Sequence, residues 1–253
     1  MHRTPDKSAT TVAIGSIAEL NAFTSRRGFL RLLGVGGTLV VLPGLFTACQ
    51  DASNTGGITA PGSGSTLTID FSTGDTAVLQ FALALEQLES DFYTQVVANF
   101  DSSTLTDADK AVLSDIRNHE ELHRKFLEAA LGTNGKFSLT QIYPGVSLTE
   151  RVSVLTLAKT FEELGVAAYN GAAQYLSDAG NLLIAAKIVS VEARHASAIR
   201  DLLTPRSGDF APNSFDDALS PAKAVVAAQE FIVDKLAFTN VPTTFVQGPN
   251  GNG

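Results

Sequence analysis

Glu120 and His123 stand three residues apart, and so do Glu192 and His195. On a helix that spacing puts a carboxylate and an imidazole on one face, one turn apart, where both reach a single metal ion. Beyond residue 48 the chain holds only three histidines, and two of them sit in these pairs. The pattern has a second layer. Glu86 precedes the first pair and Glu162 the second, and each is followed seven residues on by a tyrosine, Tyr93 and Tyr169. The chain therefore reads Glu, Glu-x-x-His, Glu, Glu-x-x-His. One carboxylate from each of two helices, with one pair from each of two others, is the ligand set of a two-metal site inside a four-helix bundle. The predicted metal ligands are thus Glu86, Glu120, His123, Glu162, Glu192 and His195. Glu89, one turn beyond Glu86, is a rival for the first position.

The elements that must carry these residues follow from periodicity. Leu79, Ala82, Leu83, Glu86, Tyr93, Val97 and Phe100 form a stripe at three-and-four spacing, predicting a helix from about Thr73 to Asn99. A carboxylate inside an apolar stripe is costly unless it is paired or bound to a metal. Thr106 is the expected cap of a second helix ending at Gly132, with Asp107 and Asp109 in its first turn. Ser147 and Glu150 read as a capping box for a third, reaching about Ser177. On it Glu162 shares a face with Leu155, Val166 and Tyr169, whereas Glu163 falls on a polar side. A fourth helix follows a turn at Gly180 and Asn181 and stops before Pro205, and a fifth runs from Ser220 and Pro221 to about Leu236. Between the second and third lie about fifteen residues, which extended span about 50 Å, enough to return along the bundle. The expected fold is all-α: a four-helix bundle with one long crossover plus a short C-terminal helix. Leu67 to Phe71 alternates apolar and polar residues and is expected to be an extended lead-in.

Composition narrows the chemistry. The single cysteine, Cys49, excludes an intramolecular disulfide and a thiolate zinc cluster. A net charge of -8 speaks against nucleic acid as a partner. Ser25-Arg26-Arg27-Gly28-Phe29-Leu30-Arg31 resembles the twin-arginine export signal, followed by an apolar run from Leu32 to Phe46. Phe46-Thr47-Ala48-Cys49 resembles a lipobox, which implies cleavage before Cys49 and lipid attachment to its sulfur. The expected organisation is a signal peptide over 1–48, a flexible linker over 49–70, the bundle over 71–205, and an extension over 206–253. One helix and a disordered tail from Gln247 make up that extension. The expected location is outside the cytoplasm, either anchored to a membrane through the lipid or free in a periplasmic or extracellular space.

Together the export signal, Glu86 with Tyr93, the run His119 to His123, the segment Glu162 to Ala173, and the pair Glu192 with His195 resemble the exported ferritin-like domain proteins. These include the desiccation-related relatives. More distantly the pattern is similar to ferritins, rubrerythrins and manganese catalases. The resemblance implies a ferritin-like bundle with two iron or manganese ions. In it His123 and His195 each bind one metal, Glu120 and Glu192 bridge, and Glu86 and Glu162 close the outer positions. Zinc also suits such nitrogen and oxygen ligands. Tyr93 and Tyr169 are expected to bond ligating carboxylates, supply an electron, or simply pack.

Oxygen or hydrogen peroxide is the implied reaction partner, in stress protection. These relatives share ligands and differ in chemistry, so one reaction is not implied. A metal-binding stress protein without turnover is the alternative, and self-association into a homo-oligomer stays open. A third reading takes His119, Glu120 and His123 as a zinc-hydrolase motif with His195 as third ligand. It leaves Glu86, Glu162 and the second pair without a role.

Overall fold

The computed structural model describes residues 64–249. The export signal, Cys49 and the linker up to residue 63 lie outside the described residues, as does the tail from residue 250. In chain order the elements are β1 (Thr66–Asp70), α1 (Asp75–Ala98), α2 (Asp107–Gly135), α3 (Arg151–Ala172), α4 (Ala179–Leu203), α5 (Pro221–Ala228) and β2 (Lys235–Thr239). The four long helices form the all-α bundle that the periodicity predicts.

Each helix packs chiefly on its sequence neighbour, α1 on α2 and α3 on α4, while α2 and α4 touch each other little. The return between the two hairpins runs along α1. Gln87 donates to the Phe137 carbonyl at 2.8 Å and accepts from the Leu139 amide at 2.8 Å. Further on, Tyr143 donates to Asp91 at 2.7 Å. The Gln87 bonds satisfy backbone groups that the crossover would otherwise bury unpaired. Covered by the crossover as well as by its partner helices, α1 is buried on almost every side from Ala77 to Tyr93.

The α2 start follows expectation. Thr106 and Asp109 form a capping box, the Thr106 hydroxyl accepting from the Asp109 amide. Gly132 departs from helical geometry at φ 64°, and the chain turns on one irregular stretch to Gly135. The third helix corrects its prediction. It begins at Arg151 rather than at a Ser147 box, because the Arg151 amide donates to Thr104 at 2.8 Å, beyond the reach of local sequence. Ser147 instead accepts from the Glu150 amide in the turn before it. Asp178, accepting from the Asn181 amide, caps α4 two residues earlier than the predicted turn.

The fifth helix is also shorter than its pattern. It ends at Ala228, and after a 3-10 turn the chain enters β2, which pairs in parallel with β1, Leu67 opposite Leu236. Gln229 enforces the change, donating to the Ile232 and Asp234 carbonyls and accepting from the Leu236 amide. The predicted lead-in is β1 itself, with Leu67 and Ile69 buried. Gln247, expected in a disordered tail, donates to the Ala218 carbonyl at 2.9 Å.

Asp109 ties three helices at one end of the bundle. It accepts from Arg151 Nε at 2.7 Å and Nη2 at 2.9 Å, and Arg151 also donates to the Leu202 carbonyl that ends α4. Burial pushes the Asp109 carboxyl up, but the bonds from Arg151 and Thr106 outweigh it and hold it below its ordinary value. Asp109→Ala should therefore cost about 2–3 kcal/mol in chemical denaturation at pH 7. For a depressed carboxylate the stabilisation is present above the unfolded value and lost as pH falls through the folded one. The gap between the two proteins should close toward acid, and a gap independent of pH would contradict the assignment.

Candidate metal centre

Glu86 on α1, Glu120 on α2, Glu162 on α3 and Glu192 on α4 all have 0 % of their surface exposed. They face one another with His123 and His195. His123 Nδ1 lies 2.9 Å from Glu192 Oε1, 3.3 Å from Glu120 Oε2 and 3.5 Å from Glu86 Oε2. His195 Nδ1 lies 2.9 Å from Glu120 Oε1, 3.3 Å from Glu162 Oε2 and 3.4 Å from Glu192 Oε2. All six sequence-predicted metal residues are thus brought together, in two overlapping groups. One is Glu86, Glu120, His123 and Glu192, and the other Glu120, Glu162, Glu192 and His195.

The two tyrosines cross between halves. Tyr169 of α3 donates to Glu86 Oε1 of α1 at 2.6 Å, and Tyr93 of α1 donates to Glu162 Oε1 of α3. Each bond uses one carboxylate oxygen and leaves the other directed into the layer. Burial and the adjoining carboxylates keep both phenols protonated, far above their ordinary range.

Charge is the chief strain of the site. Burial pushes Glu86 up to about 8, against a partial pull from His123. Glu162 is pushed up by burial despite His195. Glu192 goes the other way: burial raises it, but the close His123 and His195 rings hold it at about 2. Burial works against a charge on His195, and the facing carboxylates of Glu120, Glu162 and Glu192 overcome this, up to about 12. The same balance raises His123.

Metal ions fit these residues. Among the described residues, every buried side-chain oxygen or nitrogen without a hydrogen-bond partner, bar one on Arg117, belongs to Glu86, Glu89, Glu120, Glu162, Glu192 or His195. His195 Nδ1 is close to three oxygens yet aligned as a donor to none. Four carboxylates also match the charge of two divalent ions, and the donor set is nitrogen and oxygen throughout.

The two candidates for the first position both lie inside. Glu86 joins a ligand group and Glu89 joins neither, although Glu89 is equally buried. Space for Glu89 comes from Gly165, where a Cβ would sit 3.0 Å from Glu89 Oε1. Sequence reasoning passed over Gly165, although its signal was present: it follows Glu162 by three residues, as Glu89 follows Glu86. Glu163 pairs outward with Arg200 at 2.8 Å. His119 stays outside both groups, stacked on His195, so no three-histidine hydrolase site assembles. An apolar cavity reaches Tyr169 from between the helices, lined by Leu85, Leu127, Ile184 and Ile188 among others.

A family model described as a ferritin-like domain matches residues 74–205, just over half of the chain. No curated protein matches it.

Burial and four neighbouring carboxylates push Glu89 well above its ordinary value. A raised carboxylate costs stability as pH climbs past its unfolded value. In metal-free protein at pH 7, Glu89→Gln should therefore raise the melting temperature by a few degrees, about 2–4 °C. The gain should vanish near pH 4. A lowered melting temperature at pH 7 would show that Glu89 is held by an attraction instead.

Proposed function

This chain belongs to the ferritin-like domain family, and on that footing we propose that it holds two iron or manganese ions in the carboxylate layer. There it reacts with oxygen or hydrogen peroxide, or oxidises ferrous iron, as an exported stress-protection protein. One observation carries the reading: Glu120 and Glu192 each belong to both ligand groups. Residues shared in that way suit bridging positions, with Glu86 and His123 completing one ion's set and Glu162 and His195 the other's. The chemistry such ions supply is a one-electron change at each, together the two electrons that reduce oxygen to peroxide or peroxide to water.

The chain's own residues do the rest. Tyr93 and Tyr169 fix the outer carboxylates by holding one oxygen of each, which keeps the other in a set direction. The apolar core around the layer excludes water, so the charges there act at low dielectric. The cavity beside Tyr169 offers almost wholly apolar walls, with Asn181 as the other polar side chain. No polar set stands ready to orient an organic molecule, which favours a small oxidant. Among the described residues no helix is long and apolar enough to cross a membrane. The attachment we propose runs through a lipid on Cys49, after twin-arginine export of the folded protein.

Protein matured in its own host should contain two ions per chain. Glu120→Ala or Glu192→Ala should remove both together, whereas His123→Ala should weaken mainly one. A single zinc indifferent to Glu192 would defeat the reading. Loaded separately with iron and manganese, the protein should consume peroxide or oxygen, or oxidise added ferrous ion, in each case beyond a Glu120→Ala control. No reaction with two ions present would leave a binding protein without turnover. Cys49→Ala should release the protein from the membrane fraction with its metal content unchanged, and persistent membrane association would refute the lipid anchor.

A further inference from the structure

The two halves of the layer are alike in their carboxylates and unlike behind their histidines. His195 Nδ1 faces Glu120, Glu162 and Glu192, and its other nitrogen, Nε2, lies 2.9 Å from His119 Nδ1. The two rings stack with centroids 5.1 Å apart and planes 10° apart. His119 is itself exposed, one residue before Glu120 on α2. Val191 stands at the matching place before Glu192, and it offers no acceptor. Among the described residues the polar contacts of His123 run through Nδ1 alone, and its ring stacks on His195 at 6.5 Å.

The placement restricts His195 chemically. For Nδ1 to meet a metal ion as a lone-pair donor, the ring proton must sit on Nε2. A proton on Nε2 needs an acceptor, and His119 Nδ1 supplies it when the His119 proton sits on its own Nε2. The stacked face adds a second restraint, fixing the ring's rotation as well as its tautomer.

We propose that His119 is a positioning residue that presets His195 for metal binding, making the two metal positions unequal: the His195 position is preorganised and the His123 position is not. This rests on the two-metal reading above. A polar partner behind a ligating histidine is worth about 10- to 100-fold in metal affinity. Without one, the His123 ring settles its tautomer only as the ion arrives.

Mn2+ titrated into the metal-free full chain, with bound ion counted by equilibrium dialysis, tests this directly. The unaltered protein should bind in two steps of different affinity. His119→Phe keeps a stacked ring and removes the acceptor, and it should weaken one step by about 10- to 100-fold, leaving the other within about threefold. His119→Asn puts an amide oxygen where Nδ1 was, and it should recover most of the loss. His119 lies on the surface, so far-UV circular dichroism of both variants should match the unaltered chain. Equal binding by His119→Phe, equal weakening of both steps, or His119→Asn as weak as His119→Phe would each overturn the inference while leaving the two-metal reading standing. Failure of the unaltered chain to bind Mn2+ at all would overturn both.

Discussion

Four carboxylates with no exposed surface meet in the middle of the bundle, and a fifth, Glu89, lies buried beside them. Anions so close at low dielectric repel strongly, and burial alone is enough to move Glu86 and Glu162 out of their ordinary range. Such a layer persists only with compensating positive charge. Two imidazoles answer part of that demand, each ringed by three carboxylate oxygens. Everything else in the fold holds this arrangement against its own repulsion.

The supports act at different distances. Nearest are the crossed tyrosine bonds, which hold one oxygen each of Glu86 and Glu162 and bind α1 to α3. Gly165 accommodates Glu89 by omitting a side chain. Farther out, Asp109 and Arg151 lock the starts of α2 and α3 to the end of α4. At the periphery, β1 and β2 join residues from before and after the whole bundle. Gly171 shows how close that outer packing comes, since a Cβ there would lie 1.7 Å from the Leu219 carbonyl oxygen.

Much of the centre was legible in the residues because it obeys helical period. Glu86, Glu120, Glu162 and Glu192 each recur within an apolar stripe, and stripes turn inward. Periodicity could not separate Glu86 from Glu89, and the reason is physical. With α1 covered on nearly every side, both positions are interior, and a stripe no longer marks a boundary. The start of α2 was legible because its cap is local, Thr106 to Asp109. The start of α3 was not, since the bond that fixes it comes from Thr104, 47 residues before Arg151. Likewise the turn from α5 into β2 depends on a partner strand near the other end of the described chain, and no local pattern encodes that pairing. The resemblance drawn from these motifs and the matched family agree on the bundle.

Contact between the two hairpins is light on both sides, α1 with α3 and α2 with α4. The hairpins are each closely packed within themselves. On the α1–α3 side they are joined by the tyrosine bonds. On the α2–α4 side the charge layer and the stacked pair His119 and His195 span the two helices. Whatever cations occupy the layer, protons or metal ions, therefore tie the hairpins together at that level. Amide exchange along the four helices should report how firmly the layer holds them.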